Sequence, residues 1–180
     1  MEIKILPYIE QDGIRTLRDS EVMGLFDRME AEGRLDIVFY SGEIRDREDF
    51  LHIMKHGENR LMALMADGEP AGFCWLNRFQ NHTAQVHFCF FDGYRGRSAV
   101  EIGRYALQRL ISFKDREGNY IYDAFLGYLP VFNRPGIEFV RQCGAKVLGV
   151  VPNAVWVAAR QRSEDAAAIY YVRGDDHEDL

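Results

Sequence analysis

The chain has 180 residues, of which 47% are hydrophobic, and a formal net charge of −6. A chain of this size can bury a substantial core and fits the usual range of a single domain. The negative charge and the lack of a long basic run disfavour nucleic acid or an anionic membrane as a partner. No stretch approaches the roughly 20 apolar residues that span a bilayer, and the first residues lack the long apolar run of an export signal. We therefore expect a cytoplasmic protein.

The cysteines indicate a reducing environment. Cys74, Cys89 and Cys143 are odd in number and lie among apolar neighbours. This pattern favours small buried hydrophobic side chains over a disulfide framework.

The N-terminal part of the chain predicts one strand and two helices. Residues 2–8 alternate apolar and polar side chains, which is typical of a strand. Asp19 and Ser20 form a good helix cap, and Gly33 is a plausible stop. Between them, apolar residues recur at helical spacing: Val22, Leu25, Phe26 and Met29. A second, shorter helical stripe consists of Phe50, Ile53 and Met54.

Three antiparallel strands are predicted next. Residues 61–66 and 71–76 flank a tight turn at Asp67-Gly68, whose glycine supplies a positive φ, so they predict a hairpin. A polar turn at 80–83 leads to a third strand at 84–91.

The rest of the chain predicts two helices and three strands. A helical stripe begins near Ser98, and residues 120–129 predict a central strand. A helix follows in which Asn133 caps the first turn, Pro135 occupies a position that needs no N–H, and Gly144 ends the helix. The last strands are expected at 146–151 and 167–172, with a loop at 160–165.

The predicted order of elements is β-α-α-β-β-β-α-β-α-β-β, an α+β fold. We expect one domain over residues 1–173. The acidic residues 174–180 form a tail that we expect to be frayed.

The turn at 91–100 is the first candidate binding site. A helix N-terminus offers unpaired N–H groups and partial positive charge, and Arg95 and Arg97 add full charges there, so the turn could bind phosphate. The plainer alternative is an ordinary glycine turn with solvated arginines.

Several features together resemble the GNAT superfamily of acyl-CoA N-acyltransferases. They are the order of elements, the Asp67-Gly68 hairpin, the turn Tyr94-Arg95-Gly96-Arg97, and the segment containing Asn133, Gly136, Phe139 and Gly144. The resemblance covers about residues 61–172. It implies a mixed, mainly antiparallel sheet flanked by helices, and acetyl transfer from acetyl-CoA to an unidentified amine by direct attack.

The resemblance also implies a set of coenzyme-binding residues. The pyrophosphate of coenzyme A would be held by the turn, and the pantetheine would lie like an extra strand beside the last strand of the meander. The residues implied are Phe88, Cys89, Phe90, Arg95, Gly96, Arg97, Ser98, Ala99, Val100 and Asn133.

Three positions depart from the family pattern. Ser98 and Val100 stand where the family usually has small residues, and valine narrows the approach of phosphate to the backbone. Val140 stands where many members carry a tyrosine that protonates the leaving thiolate, and valine cannot donate a proton. Whether the chain is an enzyme is therefore left open. The alternative is a catalytically degenerate binding or structural module, phage- or prophage-encoded.

Two residues are candidates for the catalytic groups. His87 lies on a strand that would line the cleft and has an ordinary pKa near operating pH, so it is the first candidate base. Tyr128, at the exit of the central strand, could replace the missing tyrosine or orient the substrate. Packing is the alternative role for both.

A metal site is a third hypothesis. His52 and His56 have the helical spacing of a two-histidine face, which would bind zinc only if a third ligand converged on it. The metalloprotease glutamate is missing, so we predict no metal.

The sequence contains no motif that identifies the amine acceptor. The acidic residues Glu43, Asp46 and Glu48 could attract an amine or form a solvated surface. The last strands of such folds often form dimer contacts, so a homodimer is also open.

Overall fold

The computed structural model describes residues 1–11 and 13–174. Nine strands and five helices follow one another along this part of the chain. In chain order they are β1 (Ile3–Pro7), β2 (Glu10–Gln11), β3 (Ile14–Arg15), α1 (Asp19–Ala31), α2 (Leu35–Val38), α3 (Arg47–Lys55), β4 (Arg60–Ala66), β5 (Glu69–Gln80), β6 (Thr83–Phe90), α4 (Arg97–Ile111), β7 (Ala124–Pro130), α5 (Arg134–Gln142), β8 (Lys146–Val157) and β9 (Arg162–Val172).

Seven strands form one mixed sheet in the order β1-β4-β5-β6-β7-β9-β8, and β2 pairs with β3 in a separate ribbon. All neighbours in the large sheet are antiparallel except β6 and β7, which are parallel. The sequence-based expectation of a mixed, mainly antiparallel sheet flanked by helices is confirmed. None of the described helices is long and apolar enough to cross a bilayer.

The hairpin between β4 and β5 has the turn that the sequence predicts. Asp67 and Gly68 have φ angles of 50° and 86°, as a two-residue turn that matches strand twist requires. The Asp67 side chain also accepts a hydrogen bond from the Glu2 N–H at 2.7 Å, which ties β1 to this turn.

The sheet separates two layers of helices because its strands alternate. Leu61 and Ala63 of β4 face a core that contains the apolar side chains of α1 and α3. Met62 and Leu64 face the opposite core, which α4 fills. Both faces of the sheet are therefore covered, with α1 and α3 on one side and α4 on the other.

The two parallel strands separate soon after they meet. β6 pairs with β7 only at Thr83–Ala124, Ala84–Phe125 and Gln85–Leu126. Beyond these pairs, the described residues of β6 continue with β5 as their partner while those of β7 continue with β9. A gap therefore opens between the two strands toward their C-terminal ends.

The structure corrects three element boundaries. The strand expected at 120–129 begins only at Ala124, because the preceding backbone is held in a loop, where the Asp123 N–H donates to the His82 carbonyl at 2.7 Å. β8 continues past Pro152 to Val157, across an irregularity in its register. An edge strand tolerates proline because one side of its backbone needs no partner.

The third correction concerns the loop expected at 160–165. Residues 158–160 form a single 3₁₀ turn, and β9 already begins at Arg162. The charged residues of this segment do not form the predicted loop, because their side chains pair with one another. Glu164 accepts from both Arg160 and Arg162, at 3.1 and 2.8 Å. Residues 175–180 of the predicted tail lie outside the described residues.

The predicted cap of α5 is confirmed, whereas the predicted N-cap of α1 is wrong. The N-cap of α1 is Arg18 rather than Asp19 or Ser20, and its backbone N–H donates to the Glu21 carboxylate at 2.7 Å. In α5 the Asn133 side chain accepts from the Gly136 N–H at 3.0 Å, as predicted.

The three cysteines are buried and unpaired, also as predicted.

Candidate active site

The turn before α4 presents free backbone donors. Gly96 is the N-cap and has φ 57° and ψ −122°, a conformation in which a Cβ would be strained. The N–H groups of Arg97, Ser98 and Ala99 belong to the first turn of α4 and have no acceptor within the helix. The first intrahelical bond runs from the Val100 N–H to the Gly96 carbonyl at 3.1 Å. This turn can therefore receive an anion.

The two arginines of this turn differ in their surroundings. Arg95 donates to the Asp92 carboxylate, which also accepts from Arg34 at 2.5 Å. These guanidinium groups, Arg34 first, hold the pKa of Asp92 below its usual range. Arg97 forms no ion pair with a described residue and lies beside Arg104 in a surface groove along α4. Arg97 is thus the free cation of the turn.

A salt-bridge network fastens the turn to the end of α1. The Glu32 carboxylate accepts from the Asp92 N–H at 2.8 Å and pairs with Arg28 and Arg34, at 3.2 and 3.0 Å. No sequence motif marks Arg28, Glu32 and Arg34 as neighbours of this turn. They are distinguished only by lying around the predicted helix stop at Gly33.

The gap between β6 and β7 holds a small cavity of about 110 Å³. Phe88 lines it from β6, Gly127 from β7, and Asn133 and Val140 from α5. Cys89 points to the opposite side into the core, and burial raises the pKa of its thiol to about 12. Of the coenzyme residues expected on β6, Cys89 can therefore offer only its backbone to this gap.

A second cavity, of about 780 Å³, lies on the α3 side of the gap. Five residues line both cavities and therefore mark the place where they meet: Val38, Tyr40, Trp75, His87 and Tyr128. Both catalytic candidates from the sequence are in this set. The structure thus brings His87 and Tyr128 together with the gap, although their catalytic roles remain predictions.

His87 is held as a neutral imidazole. Its Nε2 lies 3.0 Å from Oδ1 of Asn77, and its ring stacks on Trp75. Burial, together with the nearby Arg78 guanidinium, lowers its pKa to about 4. With this amide orientation Nε2 donates to Asn77, which leaves Nδ1 as an acceptor. Such a histidine is a weak base that accepts a hydrogen bond across the neutral pH range.

Two tyrosines occupy the junction of the cavities. Tyr128 is 45% exposed, and its hydroxyl has no hydrogen-bond partner among the described residues. The Tyr40 hydroxyl donates to the Tyr128 carbonyl at 3.4 Å. Tyr40 has no signal in the sequence, because it follows α2, a four-residue helix that is too short to show a periodic pattern.

Val140 lines the small cavity but packs into an apolar cluster with Ala145 and Ile169. It offers no group that can donate a proton. The proton donor that the sequence resemblance leads one to expect at this position is therefore not supplied by Val140.

Three charged side chains line the large cavity: Glu43, Glu58 and Arg78. None of them forms an ion pair with a described residue. Of the acidic residues considered for amine binding, only Glu43 is placed here. Asp46 instead caps α3 by accepting from the Asp49 N–H at 2.8 Å, and Glu48 pairs with a neighbouring arginine.

The two histidines at the end of α3 lie apart from this site. Nε2 of His52 is 3.2 Å from Nε2 of His56. Within residues 1–11 and 13–174, no group of three or more His, Cys, Asp or Glu side chains could hold a metal ion. The third ligand that a zinc site would need is therefore not found in this part of the chain.

No protein-family model matches the chain, and no curated protein sequence matches it. Solved structures do. The spermidine N-acetyltransferase from Vibrio cholerae in complex with CoA and spermine superimposes with a TM-score of 0.70 at 10% identity, over 94% of this chain and 95% of that one.

Two further structures show the same similarity. The acetyltransferase from Salmonella typhimurium that modifies the N-terminal serine of ribosomal protein L7/L12 gives a TM-score of 0.71 at 13% identity, over 94% of each chain. The microcin C7 self-immunity acetyltransferase MccE, in complex with acetyl-CoA and AMP, gives 0.61 at 14% identity, over 83% of this chain and 88% of that one. The chain therefore has the GNAT fold that its sequence resemblance predicted.

Proposed function

We propose that this protein is an acyl-CoA-dependent N-acyltransferase that transfers an acetyl group from acetyl-CoA to an amine by direct attack. The main evidence for this proposal is the gap between β6 and β7. It opens beside the anion-receiving turn before α4 and ends where the 780 Å³ cavity begins. A molecule with phosphates at one end and a reactive thioester at the other matches this arrangement.

The neighbours in fold support the same class of reaction. Two of their structures contain CoA or acetyl-CoA, and their names specify polyamine, protein N-terminus and microcin immunity as contexts for acetyl transfer. For this chain we assign acetyl-CoA as the co-substrate and leave the amine unassigned. A cytoplasmic location and a homodimer remain predictions.

Different residues along the gap would bind different parts of the coenzyme. The N–H groups of Arg97, Ser98 and Ala99 would hold the pyrophosphate, and the side chains of Arg97 and Arg95 would add positive charge. The backbone of β6 at residues 88–90 would run beside the pantetheine. This path places the thioester at the junction of the two cavities, because the gap ends there.

The amine would approach from the large cavity. Glu43 and Glu58 carry negative charge on its lining and favour a cationic acceptor. His87, as a neutral imidazole, would accept a hydrogen bond from the attacking nitrogen and orient its lone pair. The carbonyl oxygen would be polarised by a backbone N–H, which needs no particular side chain.

Calorimetry with acetyl-CoA and desulfo-CoA tests the binding site. We expect both ligands to bind, because the phosphates dominate recognition at the turn. No binding of either ligand at about 1 mM would overturn the proposal, since this corresponds to only about −4 kcal/mol of binding free energy.

Turnover is tested by measuring thiol release from acetyl-CoA with a panel of amines. The panel includes spermidine and a peptide with an N-terminal serine, because fold neighbours act on such acceptors. Mass spectrometry of the product should show one added acetyl group on the amine.

One observation favours a second function. Val140 lies in an apolar cluster at the position where a tyrosine acid is customary, so the chain could be a binding or structural module that retains the coenzyme site. Tight binding of acetyl-CoA without acetyl transfer to any amine, and without hydrolysis, would support the module and exclude the enzyme.

A further inference from the structure

We propose that the Tyr40 hydroxyl is the proton donor to the departing thiolate, in place of the tyrosine that is missing at Val140. This inference rests on the proposed acetyl transfer and assigns one of its catalytic groups. Nothing in the sequence motif identifies Tyr40, which comes from the turn after α2 rather than from α5.

Tyr40 lies at the junction of the two cavities, where the proposed path of the coenzyme would put the sulfur. It is one of the five residues that line both cavities, and it shares the small cavity with Val140. A group on this wall can reach the end of the gap from the side of α2. Tyr40 therefore brings a hydroxyl group to a cavity in which Val140 has no proton to donate.

The backbone of Tyr40 is held in place, and its hydroxyl makes one weak contact. Its carbonyl accepts a hydrogen bond from the Ala158 N–H at 2.8 Å, which attaches the turn to the segment after β8. Its hydroxyl donates to the Tyr128 carbonyl at 3.4 Å, a long contact that a better acceptor can replace. A thiolate formed beside it is such an acceptor, because it is charged.

The surroundings keep this hydroxyl protonated. Burial raises the pKa of Tyr40 above that of a free tyrosine, although Arg78 of β5 acts in the opposite direction. The charge of Glu43, in the segment after α2, raises it further. From β6 the neutral His87 lines the same cavity. Tyr40 therefore carries its proton at the pH where the amine attacks.

The step balances with this donor. The cationic amine first loses one proton to water in the open cavity. The lone pair that this frees on nitrogen forms the new C–N bond to the acetyl carbon, and the C–S bond then breaks with its electron pair going to sulfur. The Tyr40 O–H proton passes to that sulfur and gives the free thiol of coenzyme A. The nitrogen loses its extra proton to water in the open cavity, and water reprotonates the phenolate.

Tyr128 is the rival donor, since it lines the same two cavities. Its contact with Tyr40 uses its backbone carbonyl, and its own hydroxyl is not positioned by any described residue. Tyr40 is half-buried whereas Tyr128 is exposed, and the more confined side chain loses less freedom on reaching the transition state. We therefore assign the proton to Tyr40 and expect Tyr128→Phe to retain more activity than Tyr40→Phe.

The experiment compares Tyr40→Phe, Tyr128→Phe and the surface control Tyr120→Phe, with acetyl-CoA and the best amine of the panel. Tyr120 lies in the loop before β7, is exposed, and is not among the residues that line the two cavities or the groove along α4. For Tyr40→Phe we expect kcat to fall about 10²-fold, the size of general-acid catalysis, with the KM for acetyl-CoA changed less than about threefold.

A second measurement separates proton donation from structural damage. Acetyl-seleno-CoA releases a selenolate, which is a better leaving group and needs less help from an acid. The defect of Tyr40→Phe should therefore shrink to less than about tenfold with the selenoester. A misfolded variant would be equally impaired with both.

Each outcome decides the assignment. A kcat of Tyr40→Phe equal to that of Tyr120→Phe overturns it, and so does an equal defect with thioester and selenoester. A larger loss in Tyr128→Phe transfers the role to Tyr128. If the unaltered protein transfers acetyl to no amine and does not hydrolyse acetyl-CoA, the proposed function fails and this assignment fails with it.

Discussion

The indole of Trp75 lies flat on the imidazole of His87, with ring centroids 4.4 Å apart and an angle of 9° between the planes. The two residues are directly opposite on β5 and β6, so the sheet register itself holds the stack. The indole keeps water away from one face of the imidazole. This explains why the strongest influence on the pKa of His87 is burial.

The first prediction concerns stability against pH. The folded-state pKa of His87 is about 4, below the ordinary value of 6.5, so the unfolded chain takes up a proton between these values and the folded chain does not. The stability that the neutral imidazole contributes is therefore complete above pH 6.5 and is lost as the pH falls toward 4.

Urea midpoints at about pH 7 and about pH 4.5 measure this effect. The unaltered protein should lose more stability over this interval than His87→Gln. The exposed His82 provides the control, and His82→Gln should follow the unaltered protein. Equal losses in the unaltered protein and His87→Gln would contradict the prediction.

A charge reversal at the turn before α4 should weaken coenzyme binding. Arg95→Glu places a negative charge beside the expected pyrophosphate, so we expect the Kd for desulfo-CoA to rise at least about tenfold, the loss of one charge-assisted contact. The fold should survive, because Arg34 still pairs with Asp92. Arg116→Glu makes the same charge change on an exposed loop and should leave the Kd close to its original value. Similar affinities of the two variants would argue against phosphate at this turn.

Gly72 is expected to be intolerant of any side chain. A Cβ built there would lie 2.1 Å from the Cys89 carbonyl oxygen, which belongs to the neighbouring strand and cannot move alone. We expect Gly72→Ala to lower the unfolding free energy by more than about 3 kcal/mol or to prevent folding, as forced overpacking does. Gly24, exposed in α1 with nothing within 4 Å, is the matched control. Gly24→Ala should raise stability by about 0.5–1 kcal/mol, and chemical denaturation distinguishes the two signs.

The cap of α5 should contribute a measurable part of the stability near the site. Asn133→Ala removes the acceptor of the Gly136 N–H, so we expect a loss of about 1 kcal/mol in unfolding free energy. Asn133→Asp keeps an acceptor oxygen and should retain most of that stability. If both variants lose the same amount in thermal denaturation, the cap is not the cause.

The sequence predicted well wherever a local pattern decides the structure. The hairpin at Asp67-Gly68 and the cap at Asn133 depend on backbone conformations that only a few residue types allow, and both were found. α2 was missed because one helical turn has no period. The continuation of β8 past Pro152 was missed because its exposed edge is a tertiary property.

In the candidate site, too, the features set by local sequence were predicted and those set by tertiary contacts were not. The turn before α4 was identified from its residues, because an anion site of this kind is local. Tyr40 was not, because its contact with Tyr128 joins residues 88 positions apart along the chain. The low pKa of His87 could not be predicted from the sequence either. It depends on Trp75 and Arg78, which lie on the neighbouring strand β5.

The short pairing between β6 and β7 also has a mechanical meaning. Within residues 1–11 and 13–174, three residue pairs join the half-sheet β1-β4-β5-β6 to the half-sheet β7-β9-β8, and they lie at the end of the strands remote from the turn before α4. The two half-sheets therefore pair at one corner and diverge at the other. A ligand that bound between them at the open corner would contact both, so its binding free energy would also oppose their separation.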